Sequence, residues 1–398
     1  YLQAKKQMIS FDSKKLVLPK KIIEQAIEKN KLYDKIVWSS NASGIVLKNV
    51  YYSGVVNTNS FYNLKEPSSL LVYNGDIIIN DHPESHYKTL FSRDTGFFAR
   101  IEDDGYPEPF WSEEGPELLD VAITNYCEHG CTFCYRQSDR DGNHMPFGDI
   151  CTVVEQAKNA GVLQIALGGG NPNQHPQFVE ILRLIREAGI VPSYTSNGEG
   201  LTDEILTATK KYCGAMALSL YPPFDAYERI TNKIKEYKIR LNLHVILKKD
   251  TIDLLTEWLQ NPPFWFRNLN ALIVLNYKPI ASSTSFMVTD SDKLKAFYLA
   301  VSNCKCVKVG FDSCCVPGIV TWMDVNPTLI ESCESARFSA FISEDMKMYP
   351  CSFMANTNLW GDLRATSLLN IWQNSPAFKN HRAKILNSKC RGCKFAFF

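Results

Sequence analysis

No apolar run in this chain approaches the ~18 residues that a membrane-spanning helix requires. That excludes a helical membrane protein. Neither sign of charge is in surplus: 43 Lys and Arg face 42 Asp and Glu, for a formal net charge of +1. Such a balance argues against a polybasic membrane binder and against a dedicated nucleic-acid binder. The opening residues hold no secretory apolar stretch, since Tyr1 is soon followed by Lys5 and Lys6. The reading therefore places the protein in the cytoplasm, and the missing initiator Met implies that something upstream was trimmed. Disorder is excluded too, because 45% of residues are apolar and only 21% charged. A chain of 398 residues is long enough for two or three domains. It buries roughly 75% of its unfolded surface and needs no disulfides to fold.

What the chain has in excess is cysteine. There are 13, at 127, 131, 134, 151, 213, 304, 306, 314, 315, 333, 351, 390 and 393. The number is odd and nothing directs export, so metal binding or chemistry is a better account than pairing. They fall into a tight early triplet and a scattered late set.

From residue 118 onward, β-branched apolar runs alternate with helix-period segments. The strand candidates are 118–124, 163–167, 191–195, 215–219, 241–247 and 271–276. Phe178, Ile181, Leu182 and Ile185 recur at helical spacing before Gly189. Thr202 and Thr251 open further helices, and 225–235 and 291–301 supply two more. Six βα units in a row predict a parallel sheet, an α/β partial (β/α)6 TIM-like barrel open on one side. Residues 1–116 read as an N-terminal α+β module that could recognise substrate. It has a helix over Lys20–Leu32, strands at 36–39, 44–52, 70–73, 76–79 and 95–101, and a hairpin at Asn74–Gly75. A linker over 106–116 leads into the barrel, 117–301. Residues 302–398 form a small Cys-rich domain.

The first barrel strand runs into Asn125-Tyr-Cys127-Glu-His-Gly-Cys131-Thr-Phe133-Cys134. Loops at the carboxyl ends of parallel strands are where such folds place their chemistry. Three thiolates are one short of the four an iron–sulfur cluster usually takes, which leaves one iron open. The competing reading is a zinc site with His129 or Glu128 as fourth ligand.

CxxxCxxC on the first βα loop, with an aromatic before the last Cys, resembles the radical SAM superfamily. That resemblance implies a [4Fe-4S] cluster on Cys127, Cys131 and Cys134 whose open iron chelates S-adenosylmethionine (SAM). It implies reductive cleavage of SAM to a 5′-deoxyadenosyl radical that abstracts hydrogen from substrate. Gly168-Gly169-Gly170-Asn171-Pro172, at the end of the second strand, is similar to the family's glycine-rich motif, whose backbone meets the SAM ammonium. Asn171 stands where Glu is common. Ser196-Asn197 after the third strand and Ser219 after the fourth are similar to the segments that contact SAM, and Phe133 is implied beside the adenine.

Cys333, Cys351 and the Cys390/Cys393 pair are similar to the C-terminal SPASM and twitch extensions, in which a hairpin ending in Pro-Cys and a later CxxC hold an auxiliary cluster. Four cysteines suit one auxiliary [4Fe-4S] cluster in a twitch-like arrangement; a zinc ribbon fits the same ligands. The basic residues of 379–394 either offset an anionic cluster or form a solvated tail. Cys314 and Cys315, just past a strand candidate, are candidate hydrogen-atom donors or iron ligands, or buried small apolar residues. Cys151 and Cys213 read as packing. Cys304 and Cys306 face opposite ways if extended and receive no role. His244 lines the pocket or packs the core.

The resemblance implies an oxygen-sensitive enzyme, most plainly one that modifies a ribosomal precursor peptide by a crosslink, thioether or epimerisation. A reduced flavodoxin or ferredoxin would serve as electron donor. A radical dehydrogenase of a small-molecule alcohol and a non-catalytic metal-stabilised binding protein are the alternatives. A tRNA-modifying role is disfavoured by the net charge.

Overall fold

The structure, a computed structural model, describes residues 109–387 apart from 223, 280–283, 326–329 and 331–332. Before these it describes the strands between residues 17 and 102 and the turn residues 83–86, 93, 96 and 106. The chain divides into two compact units, Leu2–Gly115 with Asn159–Gly161, and Pro116–Lys158 with Val162–Phe398.

In the first unit, Leu71–Tyr73, Ile77–His82, Tyr87–Ser92 and Phe98–Glu102 form an antiparallel meander. Tyr87–Ser92 has no counterpart in the sequence reading. Its two faces are both buried, so the strand shows no polar alternation to find. Tyr73 pairs with Ile77, and the hairpin turn expected at Asn74–Gly75 lies outside the described residues. A second antiparallel sheet joins Ile36–Asn41, Gly44–Tyr52 and Gly54–Asn57, with Val17–Leu18 on its edge. The helix expected over Lys20–Leu32 lies outside the described residues.

The second unit is built on one ten-stranded sheet. Its first six strands in chain order are β1 (Leu118–Thr124), β2 (Gln164–Gly169), β3 (Val191–Ser196), β4 (Ala215–Ser219), β5 (Leu241–Leu247) and β6 (Ala271–Asn276). All six are parallel, as the βα rhythm predicts. The sheet then continues further than the sequence reading had it. β7 (Val309–Phe311) adds in parallel to β6, and β8 (Ser339–Ile342) adds in parallel to β1 on the other side. β9 (Lys347–Tyr349) and β10 (Gly361–Asp362) complete it as an antiparallel flap. The strand path runs from β7 to β10 without closing, so the barrel is open.

Connecting helices are α1 (Phe147–Asn159), α2 (Phe178–Glu187), α3 (Asp203–Tyr212), α4 (Tyr227–Glu236), α5 (Ile252–Gln260) and α6 (Ser291–Asn303). On α2 the residues Phe178, Ile181, Leu182 and Ile185 are buried, as their spacing requires. Each contributes roughly 1.5–3 kcal/mol of gross burial. Gly189 then turns the chain at φ 90°. Thr202 caps α3 by accepting a hydrogen bond from the Ile205 amide. Thr251 instead donates its hydroxyl to the Ile246 carbonyl and ties a turn rather than capping α5.

The two faces of the sheet differ sharply. On β5, Leu241, Leu243, Val245 and Leu247 are buried, while Asn242, His244 and Ile246 are half-buried. Tyr194 of β3 lies on the helix side, edge-on to Phe178 and bonded to Thr209 of α3. Ser193 and Thr195 alternate with it and face the lumen.

Candidate active site

The triplet occupies the long loop from β1 to α1. That loop folds back on itself: the Asn125 amide donates to the Asn143 carbonyl, the Cys127 amide to the Asp139 carbonyl, and the Ser138 hydroxyl to Asn125 Oδ1. Cys131 and Cys134 share a tight turn, with the Cys134 amide donating to the Cys131 carbonyl at 3.0 Å. All three cysteines are half-buried free thiols. Burial, then Cys134 and Cys127, pushes the Cys131 thiol up to about 11, while Lys248 pulls it down. Three thiols crowded in this way become favourable thiolates only with a cation among them. Among the described residues no three His, Cys, Asp or Glu side chains converge closely enough to share a single metal ion. In a cluster each thiolate meets its own iron, which asks for a wider spread. Glu128 accepts from the Tyr126 hydroxyl, and His129 faces the ring of Tyr221.

The glycine run is divided between two tasks. A Cβ on Gly169 would stand 2.0 Å from the Thr124 carbonyl, and one on Gly170 would stand 2.0 Å from the Tyr126 carbonyl. Gly169 also sits at φ 107° where the β1–β2 register shifts. These two glycines admit the cysteine loop. Gly168, with nothing within 4 Å of its would-be Cβ, faces open space and is the one that suits a bound ligand.

Asn171 is almost fully buried; its Nδ2 donates to the Glu199 carbonyl and its Oδ1 accepts from the Asn197 amide. Its side chain therefore ties the β2 end to the β3 end. Ser196 is buried as well and accepts from the Gly198 amide. Asn197 reaches across and donates Nδ2 to Cys127 Sγ at 3.7 Å, a contact of the kind that tunes a metal-bound sulfur. The Ser219 carbonyl accepts from the Tyr227 hydroxyl, which in turn accepts from the Tyr221 amide. Phe133 stands 5.8 Å from Tyr221 and 5.9 Å from Phe286, with Lys248 Nζ 4.0 Å above its ring.

Lys248 was not anticipated. It is buried at the end of β5 and pairs with Asp250 at 2.9 Å. The signal was available as a lysine directly after an apolar strand. His244 sits in the lumen; burial holds its imidazole down near 3, so it is neutral.

The later cysteines fall into two groups. Cys315 is buried and donates to the Val274 carbonyl, with burial pushing its thiol far up, which is the small-apolar alternative. Cys314 interacts with Lys278 and Cys333, and Cys333 with Cys351. Lys278 is held by Asp312 at 2.7 Å and lies 4.0 Å over Phe353. Lys278 thus acts on both Cys314 and Cys351. Cys390 and Cys393 lie outside the described residues.

The expected hairpin forms between β8 and β9, with Met346 in its turn at φ 67°. After α7 (Val316–Trp322) and the hairpin, α8 (Leu368–Asn374) is capped by Ser367, and α9 (Pro376–Leu386) follows. Arg382 of α9 is not part of a solvated tail: it is buried, donating to the Ala336 and Trp372 carbonyls. Cys151 is half-buried on α1, and Cys213 closes α3. Cys304 and Cys306 do not face apart, because a turn after α6 brings their sulfurs to 3.2 Å.

The model of the radical SAM superfamily matches residues 121–256, and that of the SPASM iron–sulfur cluster-binding domain matches residues 333–394. A probable GTP 3′,8-cyclase of Saccharolobus islandicus is 34% identical over 89 residues, 22% of this chain and 29% of that protein. A tungsten-containing aldehyde ferredoxin oxidoreductase cofactor-modifying protein of Pyrococcus furiosus is 32% identical over 94 residues, 23% of this chain and 26% of that protein. The chain thus spans less than a third of the length of either relative. Among solved structures, SuiB of Streptococcus suis bound to S-adenosylmethionine has a TM-score of 0.64 at 16% identity, covering 81% of this chain and 92% of that one. The anSMEcpe structure with bound AdoMet has a TM-score of 0.51 at 16% identity, covering 67% and 82%. At these identities the likeness is one of fold. The chain carries a domain of the radical SAM superfamily, followed by a SPASM iron–sulfur cluster-binding domain.

Proposed function

We propose that this enzyme modifies a ribosomally made precursor peptide. Cys127, Cys131 and Cys134 hold the [4Fe-4S] cluster that chelates SAM. When bound, that cluster supplies the electron that cleaves SAM to a 5′-deoxyadenosyl radical. The observation that carries the reading is the triplet's placement at the carboxyl end of a parallel sheet, with Asn197 Nδ2 donating to Cys127 Sγ and Gly168 open beside it. Asn171 ties the β2 end to the β3 end and Ser196 braces the β3 turn, so that the backbone at Gly168 presents itself to the SAM amino acid moiety. Phe133 and Tyr221 offer an aromatic wall for the adenine, and Ser219 a polar edge. Cys314, Cys333 and Cys351, with Cys390 or Cys393, hold an auxiliary cluster, and Lys278 offsets its negative charge. A reduced flavodoxin or ferredoxin is the electron donor.

A peptide is favoured because the lumen is open at one side and a SuiB structure bound to the precursor peptide SuiA shares the fold at a TM-score of 0.62. The test is anaerobic reconstitution with iron and sulfide, followed by SAM and a strong reductant, with 5′-deoxyadenosine quantified. Wild type should form it, and a variant with Cys127, Cys131 and Cys134 changed to Ala should not. Equal yields from both would overturn the assignment.

A further inference from the structure

The lumen holds one acid that the proposed chemistry leaves unused. Asp120 interrupts the apolar run of β1, in Leu118-Leu119-Asp120-Val121. Leu119, Val121 and Ile123 are buried on the helix side, so Asp120 projects from the opposite face. In a parallel sheet residues in register share a face. Asp120 is in register with Ala166 of β2, Ala166 with Ser193 of β3, and Ser193 with Ala215 of β4. One layer up stand Ala122 and Gly168, with Thr195, Ala217 and Asn242 beside each other further round. A closed barrel fills these positions with large branched side chains. Here they are small or polar, and Asp120, Ala166, Gly168, Ser193 and Thr195 all keep part of their surface exposed, while Ala122 is covered by Phe341 and Tyr349. On its other flank Asp120 meets Phe341 of β8.

A carboxylate taken out of water is costly unless a cation joins it. The cations around the barrel mouth are already committed: Lys248 to Asp250, Lys278 to Asp312 and Arg136 to Glu344. His244, the lumen's own imidazole, is neutral. Among the described residues no side-chain cation pairs with Asp120; the positive charge acting on it is an amino terminus. β1 leads at its carboxyl end into the cysteine loop and pairs on one side with β8 of the hairpin, so Asp120 lies between the two.

We propose that Asp120 is the anchor for a positively charged substrate group, an amine or guanidinium, in the lumen between the two cysteine clusters. Resting on the peptide reading, this makes the substrate class a peptide with a lysine, arginine or free amino terminus at or beside the modified residue. Ser193, Thr195 and Asn242 supply neutral hydrogen-bonding groups for the rest of the segment.

The test uses the reconstituted, SAM-loaded protein and an array of short peptides made in matched pairs, each carrying lysine or Nε-acetyllysine. Wild type should retain lysine members roughly tenfold more strongly than their acetylated partners, the effect of one charge-assisted bond. Asp120→Asn should erase that preference and Asp120→Glu should keep it, the two variants and wild type being compared at equal iron content. Wild type without a preference for lysine, or Asp120→Asn retaining it, overturns the anchor. Failure of 5′-deoxyadenosine formation in wild type would instead count against the radical chemistry, which the array does not report.

Discussion

Arg136 donates to Glu344 at 2.5 Å, and both side chains are largely buried. Arg136 stands two residues past the last cysteine of the triplet, and Glu344 lies in the β8–β9 turn. The guanidinium also covers the Phe341 ring at 5.2 Å, and Tyr135 packs on Phe353 at 4.6 Å, two residues beyond Cys351. The cysteine loop after β1 and the β8–β9 hairpin region are thus fastened together by an ion pair and an aromatic pair. Removing a single partner leaves a buried charge alone, a loss of about 3–5 kcal/mol. Glu344→Ala should therefore lower the unfolding free energy by several kcal/mol in a denaturant titration. The double variant Arg136→Met, Glu344→Leu should recover much of that loss. If Glu344→Ala were neutral, the pair would not fasten the loop.

The division of labour in the glycine run yields a contrast. A methyl on Gly170 would meet the Tyr126 carbonyl, which is backbone and cannot step aside. Overpacking typically costs ~1–3 kcal/mol, and here it displaces the cysteine loop. Gly170→Ala should lose most of its SAM-cluster iron after reconstitution, as read by iron assay and by the cluster's absorption, while its far-ultraviolet spectrum stays that of wild type. Gly168→Ala should keep its iron and bind SAM more weakly. Equal iron in the two variants would contradict the assignment.

The barrel was legible because its signals are local. Each parallel strand is a short β-branched run, and each helix carries its own stripe and stop. The cysteine triplet was legible for the same reason, since its spacing lies within eight residues. β7 is three half-buried residues with a glycine in the middle; the sequence marks a strand before Cys314 but not that it extends the parallel sheet. The pairing of β8 with β1 joins segments some two hundred residues apart, which no periodicity records. Spacing also left open which glycine serves the loop and which the ligand, because that depends on the path of residues 125–144. The 3.2 Å approach of Cys304 and Cys306 was missed because an extended geometry was assumed where the chain turns.

His244 ties stability to pH. Burial lowers its folded-state pKa from 6.5 to about 3. Unfolded chains therefore take up a proton that folded ones refuse. The stabilisation is complete above pH 6.5 and is lost as pH falls from there toward 3. Between pH 6.5 and 5 the loss should be about 1–2 kcal/mol, given the residue's partial exposure. His244→Gln should unfold at similar denaturant concentrations across that interval once the common carboxylate contribution is subtracted. A wild-type slope no steeper than the variant's would show that the imidazole is solvated.

Cys304 and Cys306 form a thiol pair outside both cysteine clusters. Burial and then the neighbouring Cys304 push the Cys306 thiol up to about 11. At neutral pH very little of it is thiolate, the form that reacts. Alkylation of Cys306 by iodoacetamide should therefore be slow at pH 7 and rise about tenfold per pH unit through the range 8 to 10. Cys304→Ser, which removes the sulfur neighbour, should speed the reaction at pH 8 by lowering that thiol's pKa. Peptide mapping by mass spectrometry separates this site from the cluster cysteines. A Cys306 that reacts at pH 7 as fast as a free thiol, and no faster in Cys304→Ser, would mean that the two sulfurs do not sit together in solution.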